Sequence, residues 1–338
     1  MDTINCLREP SALYKNIMHS FHILTFPIYL ATLIFLIKEP SKAFQTYKYY
    51  IIVHMLINIL SEILVSYLIL PDTYLPYLIL RMTGLLAHWG FSGVVQFFSM
   101  AQFAIWTGGS ILEMFYYRFK ICVIHHQSST YAKFLKFKVN LARFLSTLHP
   151  LVVIFTLKQT LEEEEIGRWK LYNSNPTVIS LEVTCYNVMI ANVDSLILWT
   201  LLPIYIILMF TCALGAGGTL LYITNFIKKS VVMSKATEKL QKMLIFSLVI
   251  QGGVHLFMIL VPVIYLMYGF FFELTWDRLA RCFIVAFACH GFFSTVAMIL
   301  FTKPLRDKML PCFKNMKTGK SEPISTVPAS ITVNQGGC

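Results

Sequence analysis

Residues 196–223, LILWTLLPIYIILMFTCALGAGGTLLYI, contain no charged side chain. A helix needs roughly 20 apolar residues to cross the hydrocarbon core of a bilayer, and this stretch is long enough. Across the whole chain of 338 residues, 57% are hydrophobic and only 13% are charged, which is far from the balance of a water-soluble domain. The sequence therefore predicts a membrane protein, with this stretch as one of its spans.

Six more stretches of similar length and polarity are spread along the chain. The fourth of the resulting seven is the weakest, because it is short and contains His149 and Pro150. Residues 71–90 are also apolar, but counting them as an eighth span would break the charge pattern described next. We predict an all-α bundle of seven transmembrane helices within residues 1–310, a short interfacial helix after the seventh, and a disordered tail at 311–338. The predicted spans are 17–37, 49–70, 89–114, 141–157, 196–223, 243–267 and 282–301.

Basic residues alternate between low and high numbers in the regions that these spans separate. From the N-terminus, the counts of Lys and Arg are 2, 3, 1, 6, 3, 5, 2 and 6. Under the positive-inside rule the high counts are cytoplasmic, which places the N-terminus outside and the C-terminus in the cytoplasm. The formal net charge of +11 then reflects cytoplasmic loops that face anionic lipid and a cytoplasmic protein. It gives no reason to expect nucleic acid as a partner.

The eight cysteines show no metal-ligand spacing, and the sequence predicts neither a metal nor a cofactor. Cys6 and Cys185 fall in predicted outer regions, and Cys282 lies at the outer end of the seventh span. Because outer regions are oxidising, we predict one disulfide among these three cysteines, with Cys6 to Cys185 as the first choice. Cys312 follows the seventh span at a distance that suits palmitoylation, with an unmodified thiol as the alternative.

Several classes of seven-helix protein are disfavoured by the sequence. A retinal-binding pump needs a lysine in its seventh helix, and residues 282–301 contain none. The chain has no clear internal repeat with matching helix breaks, as transporters have, and no filter loop or polar ring, as channels have. Catalytic motifs are missing from the sequence as well, so no enzyme activity is predicted. A receptor is favoured, and a ligand-gated channel or transporter with seven helices stays as the alternative.

Two regions of the chain carry a resemblance to a known family. Residues 233–243, MSKATEKLQKM, lead into a sixth helix with Gln251 and Pro262, and residues 290–298, HGFFSTVAM, are followed by KPLRD at 303–307. These stretches resemble the third inner loop, sixth helix and seventh helix of nematode serpentine chemoreceptors of the Str superfamily, classes H and I. Shorter matches upstream are HILTFP at 22–27, KEP at 38–40 and EMFYYR at 113–118, so the resemblance covers about residues 6 to 310.

The resemblance implies an olfactory-type receptor that binds a small extracellular ligand and activates a heterotrimeric G protein. It also implies a location in the plasma membrane of sensory cilia. Composition and charge alone give only seven helices, an outer N-terminus and a basic inner face. Class H and class I both fit these residues.

Arg118 at the inner end of the third helix is the first candidate for coupling to a G protein. In rhodopsin-like receptors an acid directly precedes this arginine, whereas here the neighbour is Tyr117. Glu113 lies about 140° around the helix from Arg118, so it is not on the same face. We therefore hypothesise that Glu238, at the inner start of the sixth helix, holds Arg118 in the resting state. Lys239 belongs to the short basic loop that precedes the sixth helix.

Glu62 lies in the middle of the second span, where a carboxylate is costly and is therefore a candidate switch or ion site. A neutral, hydrogen-bonded structural carboxylic acid is the equal alternative. We expect Ser294 and His290 of the seventh helix to face it. Pro203 and Pro262 are expected to bend the fifth and sixth helices, and Pro262 to mark a hinge.

The outer halves of the third, fifth, sixth and seventh helices offer apolar side chains with a few polar groups, which is typical of a small-molecule site. The same composition is typical of ordinary helix packing. Among the polar candidates, His255 and Gln102 are preferred. The candidate ligand-binding residues are Gln96, Phe98, Gln102, Trp106, Trp199, Tyr205, His255, Met258, Tyr265, Phe287 and His290.

Overall fold

A computed structural model describes residues 6, 10–38, 45–74, 79–122, 130–174, 181–190, 195–229, 235–272 and 276–309. Its helices are α1 (Ala12–Lys38), α2 (Gln45–Ile63), α3 (Leu85–His88), α4 (Gly93–Cys122), α5 (Thr130–Ser174), α6 (Leu196–Lys229), α7 (Lys235–His255), α8 (Val261–Phe271), α9 (Asp277–Phe301) and α10 (Lys303–Met309). Its strands are β1 (Pro71–Tyr74), β2 (Ile79–Met82) and β3 (Val188–Ile190). Two π-helical turns, Leu64–Ile69 and Leu256–Leu260, extend α2 and join α7 to α8.

The described chain forms a bundle of transmembrane helices, as the sequence predicts. Six helices of the described part are long and apolar enough to cross a membrane by length and composition. The seventh member is α4, which has 30 residues but carries several polar side chains. Since α4 packs against α2, α5, α6 and α7, protein rather than lipid covers much of its polar surface. Each of the seven predicted spans falls largely or wholly on one member of the bundle, the sixth being α7, the π turn and α8 together.

The fourth helix is much longer than predicted. The sequence predicted a short and weak span at 141–157, but α5 runs without a break over 45 residues. At 1.5 Å per residue this is about 67 Å, roughly twice the hydrocarbon thickness. Helix α5 therefore projects beyond the membrane at both ends. Proline within a transmembrane helix removes one hydrogen bond without ending the helix.

The prediction of a purely helical fold missed a small sheet at one end of the bundle. The range 71–90, which the charge pattern excluded as a span, contains the antiparallel strands β1 and β2, which we call the β1–β2 hairpin, and the short helix α3. Strand β3, from the connection between α5 and α6, pairs antiparallel with β2, so that Ile79 lies opposite Ile190. We call this the sheet end of the bundle, and the opposite end, which carries α10, the α10 end. Helix α10 is the short helix predicted after the seventh span.

A glycine permits the turn that brings the hairpin back over α2. At Gly84, a Cβ atom would lie 2.5 Å from the carbonyl oxygen of Leu68, a distance that no side chain tolerates. The preceding turn also contains Leu70 in the left-handed region, with φ of 43°. The close contact at Gly84 and the unusual backbone at Leu70 keep the sheet pressed onto the bundle.

Covalent and ionic links tie the sheet to the helices around it. Cys6 and Cys185 form a disulfide, the pair that the sequence favours, and Cys185 is buried. Arg281 of α9 donates to the buried carboxylate of Asp72 in β1 at 2.7 Å. Arg81 of β2 donates to Glu182 at the same distance. These links connect the N-terminal segment, the sheet and α9, which are far apart in sequence.

The part of α5 beyond the predicted span holds the third strand. Glu164 lies seven residues past that span and is buried, and its Oε2 accepts the backbone N–H of Ile190 at 3.1 Å. Arg168 donates to the carbonyl oxygen of Val188 at 3.1 Å, and Glu163 accepts the hydroxyl of Ser195 at 2.9 Å. Burial raises the pKa of Glu164 to about 7, although the Ile190 hydrogen bond and Arg168 oppose the shift.

We expect Cys6→Ser and Cys185→Ser to lower the thermal stability of the purified protein by similar amounts. The disulfide closes a loop between residues 179 apart, and losing such a link typically costs about 2–5 kcal/mol. The double variant should be no less stable than either single variant. Cys282→Ser, at an exposed free cysteine, is the control and should leave the unfolding midpoint unchanged. Equal midpoints for Cys185→Ser and wild type would show that the disulfide contributes nothing.

The raised pKa of Glu164 predicts a pH-dependent stability. Because the folded state holds this proton more tightly than the unfolded state, the protonated carboxyl stabilises the fold fully below about pH 4.5, and this contribution is lost as the pH rises to about 7. Glu164→Gln keeps a neutral acceptor for the Ile190 N–H, so its unfolding midpoint should change less with pH over this range. The measurement is thermal unfolding across that interval, with the exposed Glu165→Gln as the control. Parallel pH profiles for wild type and Glu164→Gln would contradict the assignment.

Candidate functional site

Glu62 is the centre of a polar cluster inside the bundle, which we call the carboxylate cluster. Its side chain is 1% exposed, and all three of its side-chain partners come from α1. Thr25 and Tyr29 donate their hydroxyls to it at 2.5 and 2.7 Å, and Nδ1 of His22 lies 2.9 Å from Oε1. The three partners fall at i, i+3 and i+7, which places them on one face of α1. The carboxylate thus joins the first two helices.

The seventh helix was expected to face Glu62 through Ser294 and His290, and of these His290 interacts with it electrostatically. Among the described residues, Ser294 and His290 make no hydrogen bond to Glu62, and Ser294 instead lies 3.5 Å from His54. Helix α9 approaches the cluster through its backbone at Gly291. A Cβ atom there would lie 2.7 Å from Cβ of Asn58 and 2.8 Å from the hydroxyl of Tyr29. The close helix contact at Gly291 and the side chains of Cys289 and His290, which interact with Glu62 electrostatically, complete the surroundings of the cluster.

Three buried imidazoles form a second group, the histidine cluster, where α2, α7 and α9 meet. The ring of His255 lies 5.1 Å from that of His54 and 5.2 Å from that of His290, measured between centroids. His54 is paired on both nitrogens: Nδ1 lies 2.7 Å from Ser110 Oγ, and Nε2 lies 3.1 Å from Nδ2 of Asn58. The sequence suggested His255 and His290 separately, but it did not indicate His54.

A third group connects α4, α5 and α6. His149 is 1% exposed, with Nδ1 at 2.6 Å from Gln102 Oε1 and Nε2 at 2.9 Å from the hydroxyl of Tyr205. The amide of Gln102 donates to the carbonyl oxygen of Ser146. Two predicted ligand-binding residues, Gln102 and Tyr205, are therefore partners of the same histidine. Sequence reasoning treated His149 as a weakness of the fourth span, whereas it is the residue that holds three helices together.

The other predicted ligand-binding residues are divided between the interior and the surface of the bundle. Gln96, Phe98 and Phe287 are buried. Met258 on the π turn and Tyr265 on α8 are partly buried. Trp106 and Trp199 are 42% and 59% exposed, so much of each side chain faces away from the interior, and their place in a ligand site stays a prediction. Position along a helix was readable from the sequence, but the face of the helix was not.

Arg118 lies near the α10 end of α4 and is 3% exposed. Its guanidinium carbon sits 3.4 Å from the ring centroid of Tyr47 in α2, a cation–π contact. Its Nε and Nη2 are buried without a hydrogen-bond partner among the described residues. Glu113 instead makes two hydrogen bonds to Arg143 of α5, at 2.5 and 2.9 Å, in agreement with the expectation that it does not share a face with Arg118.

Other predicted switch and modification residues are only partly described. Lys239 is exposed on α7, whereas the side chain of Glu238 and the whole of Cys312 lie outside the described residues. The proposed contact between Glu238 and Arg118 therefore stays a hypothesis. No group of three His, Cys, Asp or Glu residues in the described ranges is arranged to hold a metal ion.

The sixth member of the bundle, which consists of α7, the π turn and α8 and which we call helix six, is irregular next to the histidine cluster. The π turn Leu256–Leu260 starts directly after His255, and Pro262 follows it. A π turn has one more residue than an α turn and weakens the local hydrogen-bond ladder, and proline removes a further donor. The sequence predicted a bend at Pro262 only. The irregular region extends from His255 to Pro262, so it lies between the histidine cluster and α8.

A comparison with known families decides the identity of this bundle. The family described as "Serpentine type 7TM GPCR chemoreceptor Srh" matches residues 9–315, nearly the whole described chain. The chain belongs to this Srh family of serpentine chemoreceptors. Of the two classes that the sequence left open, the match selects class H, and the family is one of receptors rather than enzymes. No curated protein and no solved structure matches this Srh chain.

We expect Glu62→Gln to destabilise the Srh chain by about 1–3 kcal/mol, because the amide group offers one acceptor where the carboxylate accepts from three donors. The measurement is thermal unfolding of purified protein, with Glu165→Gln as the exposed control. Tyr29→Phe removes one of the donors, so the effects of Tyr29→Phe and Glu62→Gln should be less than additive. Strict additivity would show that the two side chains do not interact.

Proposed function

We propose that this Srh protein binds a small extracellular molecule and activates a heterotrimeric G protein at its α10 end. The observation that carries the proposal is the state of Arg118, a buried cation whose donors Nε and Nη2 have no partner in the described part of the chain. A buried charged group with unpaired donors is costly. It is tolerated where an incoming partner, such as the carbonyl-rich end of a helix, supplies the acceptors.

The contact with Tyr47 supports a resting position for Arg118. The aromatic face stabilises the guanidinium electrostatically while leaving hydrogen-bond donors unused. Movement of the α10 end of helix six would open the space beside α4 to a partner. The contact between α7 and the residue after α9, in which the hydroxyls of Ser247 and Thr302 lie 3.0 Å apart, would have to change in that movement. Two packed arrangements of the same helices would then differ in their affinity for ligand and G protein.

The orientation of the protein is part of the proposal. The disulfide between Cys6 and Cys185 at the sheet end suits an oxidising compartment, and the basic residues counted from the sequence suit a cytoplasmic α10 end. Ligand would then act from the sheet end, with the plasma membrane of a sensory cilium as the expected location. An antibody against an N-terminal epitope should label intact cells. Labelling only after permeabilisation would contradict this orientation.

Arg118→Ala should abolish activation of a promiscuous Gα in cells, because it removes the buried guanidinium and its unpaired donors, while the amount of receptor at the surface stays within about twofold. Arg118→Lys keeps the charge but not the planar group on Tyr47, so it should recover only part of the response. Arg143→Ala, which breaks the contact with Glu113 at the bundle surface, is the control. Full signalling by Arg118→Ala would overturn the role of this arginine.

A further inference from the structure

Two nitrogens of the histidine cluster have their hydrogen-bonding character set by the backbone. Nδ1 of His255 lies 2.7 Å from the carbonyl oxygen of Gln251, and Nδ1 of His290 is bonded to the carbonyl oxygen of Phe287. A carbonyl oxygen can only accept, so in each ring Nδ1 carries the proton. In a neutral imidazole the other nitrogen, Nε2, is then an acceptor. Both Nε2 atoms are buried, and neither has a hydrogen-bond partner in the described ranges.

The surroundings keep these two rings neutral. His255 is 6% exposed and His290 is fully buried, and each lies next to another imidazole. A charged ring would be buried beside a second histidine, with a new N–H donor and no acceptor for it. Glu62, the nearby acid, is already engaged by three donors of α1. The histidine cluster thus presents two acceptors and no donor at these positions.

The third histidine of the cluster, His54, has hydrogen-bond partners on both ring nitrogens. Asn58 Nδ2 donates to its Nε2, so its Nδ1–H donates to Ser110 Oγ, whose own hydroxyl donates to the carbonyl oxygen of Thr107. Every step of this chain has a donor and an acceptor. His54 is therefore satisfied on both nitrogens, whereas the Nε2 atoms of His255 and His290 have no partner among the described residues.

An apolar group of side chains lies on the sheet-end side of the two acceptors. Phe287, one turn before His290, has its ring centroid 5.6 Å from that ring. It packs in a cluster with Val65 of the π turn after α2 and Ile284 of α9. Partly buried apolar side chains from α4 and helix six face the same cluster, namely Met100, Ala104 and Ile259. The two acceptors therefore adjoin apolar side chains on their sheet-end side.

We infer that the ligand of this receptor is an uncharged alcohol or phenol, whose hydroxyl donates to Nε2 of His255 or His290 while its apolar body packs beside Phe287. The inference rests on the proposed receptor function and adds the chemical class of the ligand. A carboxylate, aldehyde or ether presents only acceptors to these two acceptors. An ammonium would be buried without a free counter-ion. A site built around one hydrogen bond discriminates strongly against analogues that lack the matching donor.

The test measures thermal unfolding of the purified full-length receptor with hexanol, octanol and phenylethanol, each beside its aldehyde, carboxylic acid, amine and methyl ether. At least one alcohol should raise the unfolding midpoint at concentrations where its four analogues do not. His255→Leu and His290→Leu should each weaken the apparent affinity for that alcohol by about tenfold or more. His290→Gln, which keeps an acceptor close to the position of Nε2, should retain part of it.

The leucine variants are expected to fold, because each removes a buried acceptor without a described partner, and the one described hydrogen bond that is lost runs from Nδ1 to a carbonyl of the same helix. His88→Leu is the matched control: the imidazole of His88 also bonds a carbonyl four residues earlier, that of Gly84, but its side chain is exposed. His88→Leu should bind the alcohol as wild type does.

Three results would overturn the inference: no alcohol of the series shifts the midpoint, the aldehydes or ethers shift it equally, or both leucine variants keep wild-type affinity. A shift produced by zinc chloride and lost in the variants, with the alcohols inactive, would show a metal site in place of an alcohol site. Signalling through Gα by an acid or amine would uphold the receptor function and overturn the ligand class. Histidine-dependent alcohol binding by a surface-exposed receptor that never activates Gα would uphold the ligand class and contradict the proposed function.

Discussion

Polar groups inside a bilayer must find their partners within the protein, because lipid offers none. This constraint accounts for the arrangement of the bundle better than any single hydrophobic contact. Glu62 is satisfied by α1, His149 by α4 and α6, and His54 by α2 and α4. Each of these three side chains therefore also specifies which helices are neighbours. The apolar residues, which face lipid as readily as protein, cannot provide that information on their own.

Some buried polar atoms have no hydrogen-bond partner in the described part of the chain, and their positions are informative. Nε and Nη2 of Arg118 near the α10 end, and the Nε2 atoms of His255 and His290 in the middle of the bundle, lack partners among the described residues. They lie on the third, sixth and seventh members of the bundle, and α7 packs against both α4 and α9. The irregular turn Leu256–Leu260 follows His255 directly. A ligand bound at the histidines would thus act on the part of helix six whose backbone is least constrained.

The sequence predicted the seven helices well, because length, hydropathy and charge are properties of the chain itself. It missed the β1–β2 hairpin, since residues 71–90 are apolar and strands of four residues have little periodicity. It placed the fourth span at 141–157, whereas α5 continues as a helix beyond both ends of that span. For the candidate site, the sequence identified residue types but not the helix face on which each residue lies. Trp106 and Trp199 are largely exposed, and Glu62 is hydrogen-bonded to residues of α1. Contacts between helices distant in sequence leave no signal in one chain.

The length of α5 has a mechanical consequence. The same uninterrupted helix carries His149, which is packed among the transmembrane helices, and Glu164, which holds strand β3. Fifteen residues of helix separate them, about 22 Å along a stiff rod. A small tilt at the depth of His149 would therefore be magnified as a sideways displacement of the third strand. Through that strand, the position of α5 inside the membrane is coupled to the position of the disulfide-bonded sheet end.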